Sequence, residues 1–196
     1  MRRLPENYAV ERYGLFARLV KEEDAEFIIK LRTDPKLSRF LHKTDPDIDG
    51  QKKWIREYKK REEAGTEYYF IFYKDGMPIG LYRLYKIDEE KFISGSWIFS
   101  SNAPFGSAFI AQIILREIAF LDFGCEYEDN STNGVHVDNT AVLSFDLKMA
   151  CMKEIGRYSN ELGDFVALKL TKDDFLKGRK KIMRMLGIKD LYKTGN

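Results

Sequence analysis

The chain has 196 residues, 33 of them basic and 31 acidic for a net charge of +2, with 44% hydrophobic and 33% charged residues. That length suits one domain with a substantial core, and the near balance of charge gives no reason to expect a nucleic-acid or membrane partner. No apolar run nears the ~20 residues of a membrane span.

Residues 13–20 are rich in apolar and aromatic side chains and predict a strand. Glu22-Glu23-Asp24 then puts acidic groups at the positive end of a helix with Phe27, Ile28 and Leu31 on its apolar face. Asp34-Pro35 stops that helix. After a polar loop at 44–47, Trp54, Ile55 and Tyr58 recur at helical spacing and predict a helix over 51–63, ended by Gly65. Residues 67–74 and 77–87 are strands joined at Asp75-Gly76, where glycine accepts positive φ. Residues 92–100 make a third strand, completing an antiparallel meander.

Residues 104–121 predict a long helix with Phe109, Ile113, Leu115 and Phe120 on one face and Gly124 past its end. A strand near 134–137, a helix over 139–152 and a strand-like stretch over 154–170, broken at 160–164, follow. Residues 171–174 cap a final basic helix over 175–186. Its basic run, like Lys52, Lys53, Lys59 and Lys60, reads as a solvated face. No repeat or linker divides the chain, so 1–196 reads as one domain. Its class is α/β (α+β): a mixed, mostly antiparallel sheet with helices on both faces. No apolar stretch follows Met1-Arg2-Arg3-Leu4-Pro5, so no secretory leader is expected. Cys125 and Cys151 stand in no metal-ligand spacing, and reduced thiols in the cytoplasm are the simple reading.

Four phrases stand in order along the meander: Glu67-Tyr68-Tyr69-Phe70-Ile71, Gly76-Met77-Pro78-Ile79-Gly80, Arg83-Leu84-Tyr85 and Gly95-Ser96-Trp97-Ile98. Leu31, Arg32, Asp34, Pro35, Arg39, Phe40 and Leu41 precede them; Val135, Asp138, Asn139, Val142, Ser144, Phe145, Lys148 and Ala150 follow. Over nearly its whole length the chain resembles the GNAT superfamily of N-acetyltransferases. It is nearest a "GSWI" subgroup similar to acetyltransferases of the ribosomal-protein and nucleotide-sugar type.

The resemblance implies acetyl-CoA as co-substrate and no metal. The third strand, at Trp97, Ile98 and Phe99, would offer its edge to the pantetheine arm through backbone groups. Gly106, Ser107 and Ala108 would hold the pyrophosphate at a helix N-terminus, although Ala103 stands where the family carries Arg or Gln. Asn139 would bond the arm; as a plain residue it is a good N-cap. Phe145 would face the same region, or serve as a core aromatic.

In the family's register the proton donor to the leaving thiolate falls on Asp146. An unperturbed aspartate is ionised at pH 7 and cannot donate. Either its pKa is raised, or Tyr158 serves, or solvent does. For the base, the third strand offers only Ser94 and Ser96; Glu67, Asp88, Glu89 and His136 are alternatives. His136, beside Asp138, reads first as a plain surface or core histidine, and His42 lies in a loop that shapes the acceptor site in this fold, or is simply an exposed loop residue. The implied function is acetyl transfer to the primary amine of a small molecule, such as an amino sugar or nucleotide-linked sugar. Tyr68, Tyr69, Tyr82 and Tyr85 would line its pocket or pack the core. A protein N-terminal or peptide amine is the alternative acceptor. A non-catalytic acyl-CoA-binding module is the alternative class, kept open by Ala103 and Asp146. A homodimer is also left open.

Overall fold

The structure, a computed structural model, describes residues 3–190. Met1 and Arg2 of the leader reading, and the last six residues of the 1–196 span, lie outside the described residues. The strands are β1 (Ala9–Arg12), β2 (Leu15–Leu19), β3 (Glu67–Lys74), β4 (Met77–Tyr85), β5 (Lys91–Phe99), β6 (Tyr127–His136), β7 (Lys153–Asn160) and β8 (Gly163–Thr171). They form one sheet in the order β1-β2-β3-β4-β5-β6-β8-β7. Every neighbouring pair is antiparallel except β5 with β6. The helices are α1 (Ala25–Thr33), α2 (Ile48–Glu63), α3 (Ser107–Glu117), α4 (Thr140–Lys148) and α5 (Lys172–Leu186).

Side chains alternate across a strand, and β3 buries both sets. Tyr68, Phe70 and Phe72 join Ile114 and Leu115 of α3 and Phe175 and Ile182 of α5 on one face. Tyr69 and Ile71 join Ile28 and Leu31 of α1 and Ile55 and Tyr58 of α2 on the other. Each such aliphatic or aromatic side chain contributes about 1.5–3 kcal/mol by leaving water. Helices therefore cover both faces, and the mixed α/β class stands. Among the described residues, no helix is long and apolar enough to cross a membrane.

Several boundaries differ from the sequence reading. Residues 13–20 are not one strand: Tyr13 (φ 56°) and Gly14 (φ 74°) form a tight turn between β1 and β2. Two positive φ values match the twist of a hairpin. β1 escapes notice because its four residues alternate between half-buried and exposed and carry two charges. β6 begins at Tyr127 rather than near 134, and its polar run of Glu, Asp, Asn, Ser and Thr hides a ten-residue strand. The helix read over 139–152 ends at Lys148, where Met149 and Ala150 both donate to the Phe145 carbonyl and Cys151 turns to φ 62°. The helix read over 104–121 starts at Ser107 and widens into a π-helical turn over Ile118–Phe123. Residues 22–24 form a 3-10 turn ahead of α1, and α2 starts three residues early, at Ile48. β4 ends at Tyr85, short of 87, and the stretch 154–170 is the hairpin β7–β8.

Candidate active site

β5 and β6 pair only at Lys91 with Tyr127 and Phe92 with Glu128, then part. Where the ladder stops, two amide side chains replace it. The Ser94 N–H donates to Asn130 Oδ1 at 3.4 Å, and Asn133 Nδ2 donates to the Ser94 carbonyl at 3.0 Å. Gly95 is required here, since a Cβ would meet Asn133 Nδ2 at 2.9 Å. Beyond this crossing no residue of β6 pairs with 95–99, so the β5 edge faces an open wedge. On its other side β5 carries a bulge: Leu81 faces Ile98 and Arg83 faces Gly95, leaving Ser96 and Trp97 opposite Tyr82. Ser96 sits at φ 51°. A bulge frees backbone groups from the ladder and re-aims side chains.

A cavity of about 250 Å³ fills the wedge. Its inner wall is a buried polar network. Arg116 Nε donates to Glu128 Oε2 at 2.8 Å, and Arg116 Nη1 donates to Gln112 Oε1 at 2.7 Å. Ser94 Oγ and Asn130 Nδ2 donate to Glu128 Oε1 at 2.6 and 2.8 Å, and Tyr82 donates to Ser94 Oγ at 2.8 Å. A buried ion pair survives desolvation only when its remaining lone pairs are satisfied in this way.

Asp146 of α4 lines the same cavity and is only 4% exposed. Its Oδ1 is buried with no hydrogen-bond partner. Burial pushes its carboxyl up to about 7, against a counter-pull from Arg116 and with a further push from Glu128. Arg116 is already committed to Glu128, so with Gln112 it stabilises the Asp146 carboxylate only in part. A carboxyl of this kind still carries its proton below about pH 7.

Beside the cavity lies an aromatic cluster, of which Trp97 lines the cavity and Phe109 and Phe145 do not. Phe109 stacks on Phe145 with centroids 4.3 Å apart, and Trp97 lies 6.3 Å from Phe145. Trp97 Nε1 donates to the Ala108 carbonyl at 3.2 Å, tying β5 to the first turn of α3. Ile98 points away, into the core under α1 and α2, so only its backbone belongs to this wedge. Phe99 packs on Phe72 at 5.7 Å. Gly106 caps α3 at φ 87°, with Leu186 so close that a Cβ would meet it at 2.9 Å. Ser107 is buried and donates its N–H to the Pro104 carbonyl. The N–H groups of Ala108 and Phe109 fall in the first turn, where a helix has no acceptor of its own. These donors and the helix dipole suit an anion.

Asn139 caps α4 without a side-chain bond, and its side chain lines the cavity. Tyr158 of β7 stacks on Phe165 at 5.3 Å and accepts the Gly134 N–H at 2.8 Å. His136 packs between Phe40 and Phe165, and its Nδ1 accepts the Asp138 N–H at 3.1 Å. The wedge thus gathers Trp97, Asn139, Asp146, Tyr158 and His136 around one space. Glu67 is held by Arg61 and Arg83, and Asp88 caps the β4–β5 turn; with Glu89 they line neither this cavity nor the next.

A second cavity, about 470 Å³, lies under α1, α2 and their connecting loop, and it shares Arg32, His42, Arg83 and Ser96 with the first. Sequence reasoning missed Gln112, Arg116, Glu128, Asn130 and Asn133. Gln112 and Arg116 are four apart on a helix, and Glu128 and Asn130 alternate on one strand face, a signal hidden by the misplaced start of β6. Among the described residues, no group of three His, Cys, Asp or Glu could hold a metal ion.

The family model described as an acetyltransferase (GNAT) domain matches residues 15–144. Apo FdhC, a nucleotide-linked sugar GNAT, is 34% identical over 92% of this chain and 99% of its own, with a TM-score of 0.76. RimJ of Mycobacterium smegmatis, in complex with CoA-disulfide, is 14% identical over 88% of this chain and 89% of its own, with a TM-score of 0.72. The ribosomal-protein-S5-alanine acetyltransferase of Vibrio fischeri is 13% identical over 86% and 99%, with a TM-score of 0.64. The last two share the fold. No curated protein sequence matches the chain.

Proposed function

Because this chain belongs to the GNAT acetyltransferase family and is an acyltransferase, we propose that it moves acetyl from acetyl-CoA to the primary amine of a small molecule, an amino sugar carried on a nucleotide. The observation that carries the reading is the buried Asp146, its Oδ1 without a hydrogen-bond partner, in the same cavity as the open β5 edge. The likeness to FdhC supports the acceptor class.

Acetyl-CoA, when bound, supplies an acetyl group activated as a thioester. The backbone of Trp97, Ile98 and Phe99 would hold its arm along the β5 edge, with Asn139 across the cavity and Phe145 packed behind Trp97. Gly106, Ser107 and Ala108 present the α3 N-terminus to its pyrophosphate, and Ala103 leaves that task to backbone donors. Backbone groups released by the Ser96 bulge would polarise the thioester carbonyl as the amine forms its C–N bond. As the C–S bond breaks, Asp146 would give its proton to the thiolate and take one back from solvent, which also receives the amine proton. Tyr158 accepts the Gly134 N–H with its own O–H left free, and the Nδ1 lone pair of His136 is engaged by the Asp138 N–H. We assign Tyr158 to holding the Gly134 backbone and His136 to shaping the wedge, because Asp146 is the carboxyl buried in it, with amine deprotonation left to solvent. We take 1–196 as one domain and place it in the cytoplasm, where free Cys125 and Cys151 stay reduced.

The test is a thermal shift with acetyl-CoA, followed by turnover on nucleotide-linked amino sugars, polyamines and N-terminal peptides. A real site stabilises the fold by mass action. A shift with turnover on the amino sugars supports the reading, and no shift at millimolar acetyl-CoA contradicts it. Turnover only on peptides would reassign the acceptor. A shift without any turnover would make the chain an acyl-CoA-binding module.

A further inference from the structure

We propose that the second cavity is a phosphoryl subsite, in which Arg32 and Arg83 grip the diphosphate of a nucleotide-linked acceptor. The inference rests on the acceptor reading above and adds where the charged end of that acceptor sits.

The floor of this cavity is cationic and under-satisfied. Arg32 donates from Nε to Thr44 Oγ1 at 2.7 Å and from Nη2 to the His42 carbonyl at 3.2 Å. Among the described residues no carboxylate pairs with it. Arg83 meets Glu67 at 3.3 Å, but Glu67 is shared with Arg61 at 2.6 Å and lies outside the cavity. Arg83 Nε is buried with no hydrogen-bond partner, and the hydroxyl of Tyr69, a residue only 2% exposed, lies beside the Arg32 guanidinium with no acceptor for its own proton. Buried donors without acceptors are rare and point to a missing partner. Asp45 and Asp47 also line the cavity, on an exposed loop with Lys43 and His42, where water and salt screen their charge.

Two guanidinium forks and a phenol supply donors to several oxygens of one anion, and guanidinium matches phosphate geometry in particular. A diphosphate carries enough charge to engage both arginines at once. The place also fits. The two cavities meet at Ser96, the bulge beside the acyl site, so a diphosphate on the floor leaves the sugar amine at the junction.

The experiment is calorimetric titration of the full chain, saturated with CoA, with uridine and thymidine diphosphates and with the two nucleosides. CoA keeps the α3 N-terminus from capturing the diphosphates. The expected result is diphosphate binding at least about tenfold tighter than nucleoside binding. Arg32→Gln is expected to lose about tenfold in diphosphate affinity with a much smaller change in CoA affinity, and Arg32→Lys to recover part of the loss. Lys43→Gln, on an exposed loop, gives a smaller loss and guards against a misfolded Arg32 variant. Diphosphates no tighter than nucleosides, or an Arg32→Gln affinity equal to wild type, would overturn the subsite. If CoA itself does not bind, the acetyl-transfer reading fails, and the Arg32 dependence of diphosphate binding to the unliganded chain still decides this inference.

Discussion

Arg116 and Glu128 form an ion pair at 2.8 Å, with side chains 4% and 0% exposed, against the innermost wall of the wedge. Burial is the main force that raises the Asp146 carboxyl, and the pairing of Arg116 with Glu128 keeps that arginine from offsetting it in full.

Breaking this pair should be costly, whereas removing it whole should not. Arg116→Met leaves Glu128 charged and shielded from water, and we expect a loss of about 3–5 kcal/mol. Combining it with Glu128→Leu should restore much of that. Urea denaturation of both variants measures the difference.

Asp146 should make the fold less stable as the pH rises. Burial pushes its folded carboxyl up to about 7 from the ordinary 3.8. Between those values the folded state holds a proton that the unfolded state has released, so the slope of stability with pH is negative. The contribution is complete below the unfolded pKa and is lost as pH rises through about 7. Asp146→Asn removes the titration, and its melting temperature should vary less with pH over this window. An unchanged slope would show that the carboxyl ionises normally.

Gly106→Ala should weaken acetyl-CoA binding more than it weakens the fold. The positive φ and the Leu186 contact at 2.9 Å both resist a Cβ. Strain at such a position costs on the order of 1–3 kcal/mol. The Kd for CoA should rise with it, because the cap conformation sets the direction of the α3 N–H groups. Titration calorimetry beside a melting curve separates the two effects.

Tyr158→Phe should cost stability and spare chemistry. It orphans the Gly134 N–H, a loss of about 1–3 kcal/mol. Turnover under saturating substrates should stay within the same order of magnitude. A collapse of kcat with an unchanged melting temperature would move the acid role to Tyr158.

The meander was legible from residues 67–100 because apolar alternation and the Asp75-Gly76 turn leave little freedom. The β5 edge and the α3 cap followed from the same order. Asp146 was legible as a position and not as a state: nothing local in the Ser144-Phe145-Asp146 stretch shows that α4 turns this carboxyl inward. β6 was the main loss. Its exposed Ser131 and Thr132 and its buried Glu128 and Asn130 do not look like a strand, because their partners are side chains across the wedge rather than a hydrophobic face. Arg32 and Arg83, on α1 and β4, meet only in the folded chain.

The pH dependence of kcat for wild type and Asp146→Asn, on a nucleotide-linked amino sugar with saturating acetyl-CoA, tests the central claim most directly. The account predicts that wild-type kcat falls as the pH rises through about 7, and that the variant is slower by about 100-fold or more at pH 6 with no such limb. A variant that keeps wild-type kcat and the same high-pH limb would contradict it.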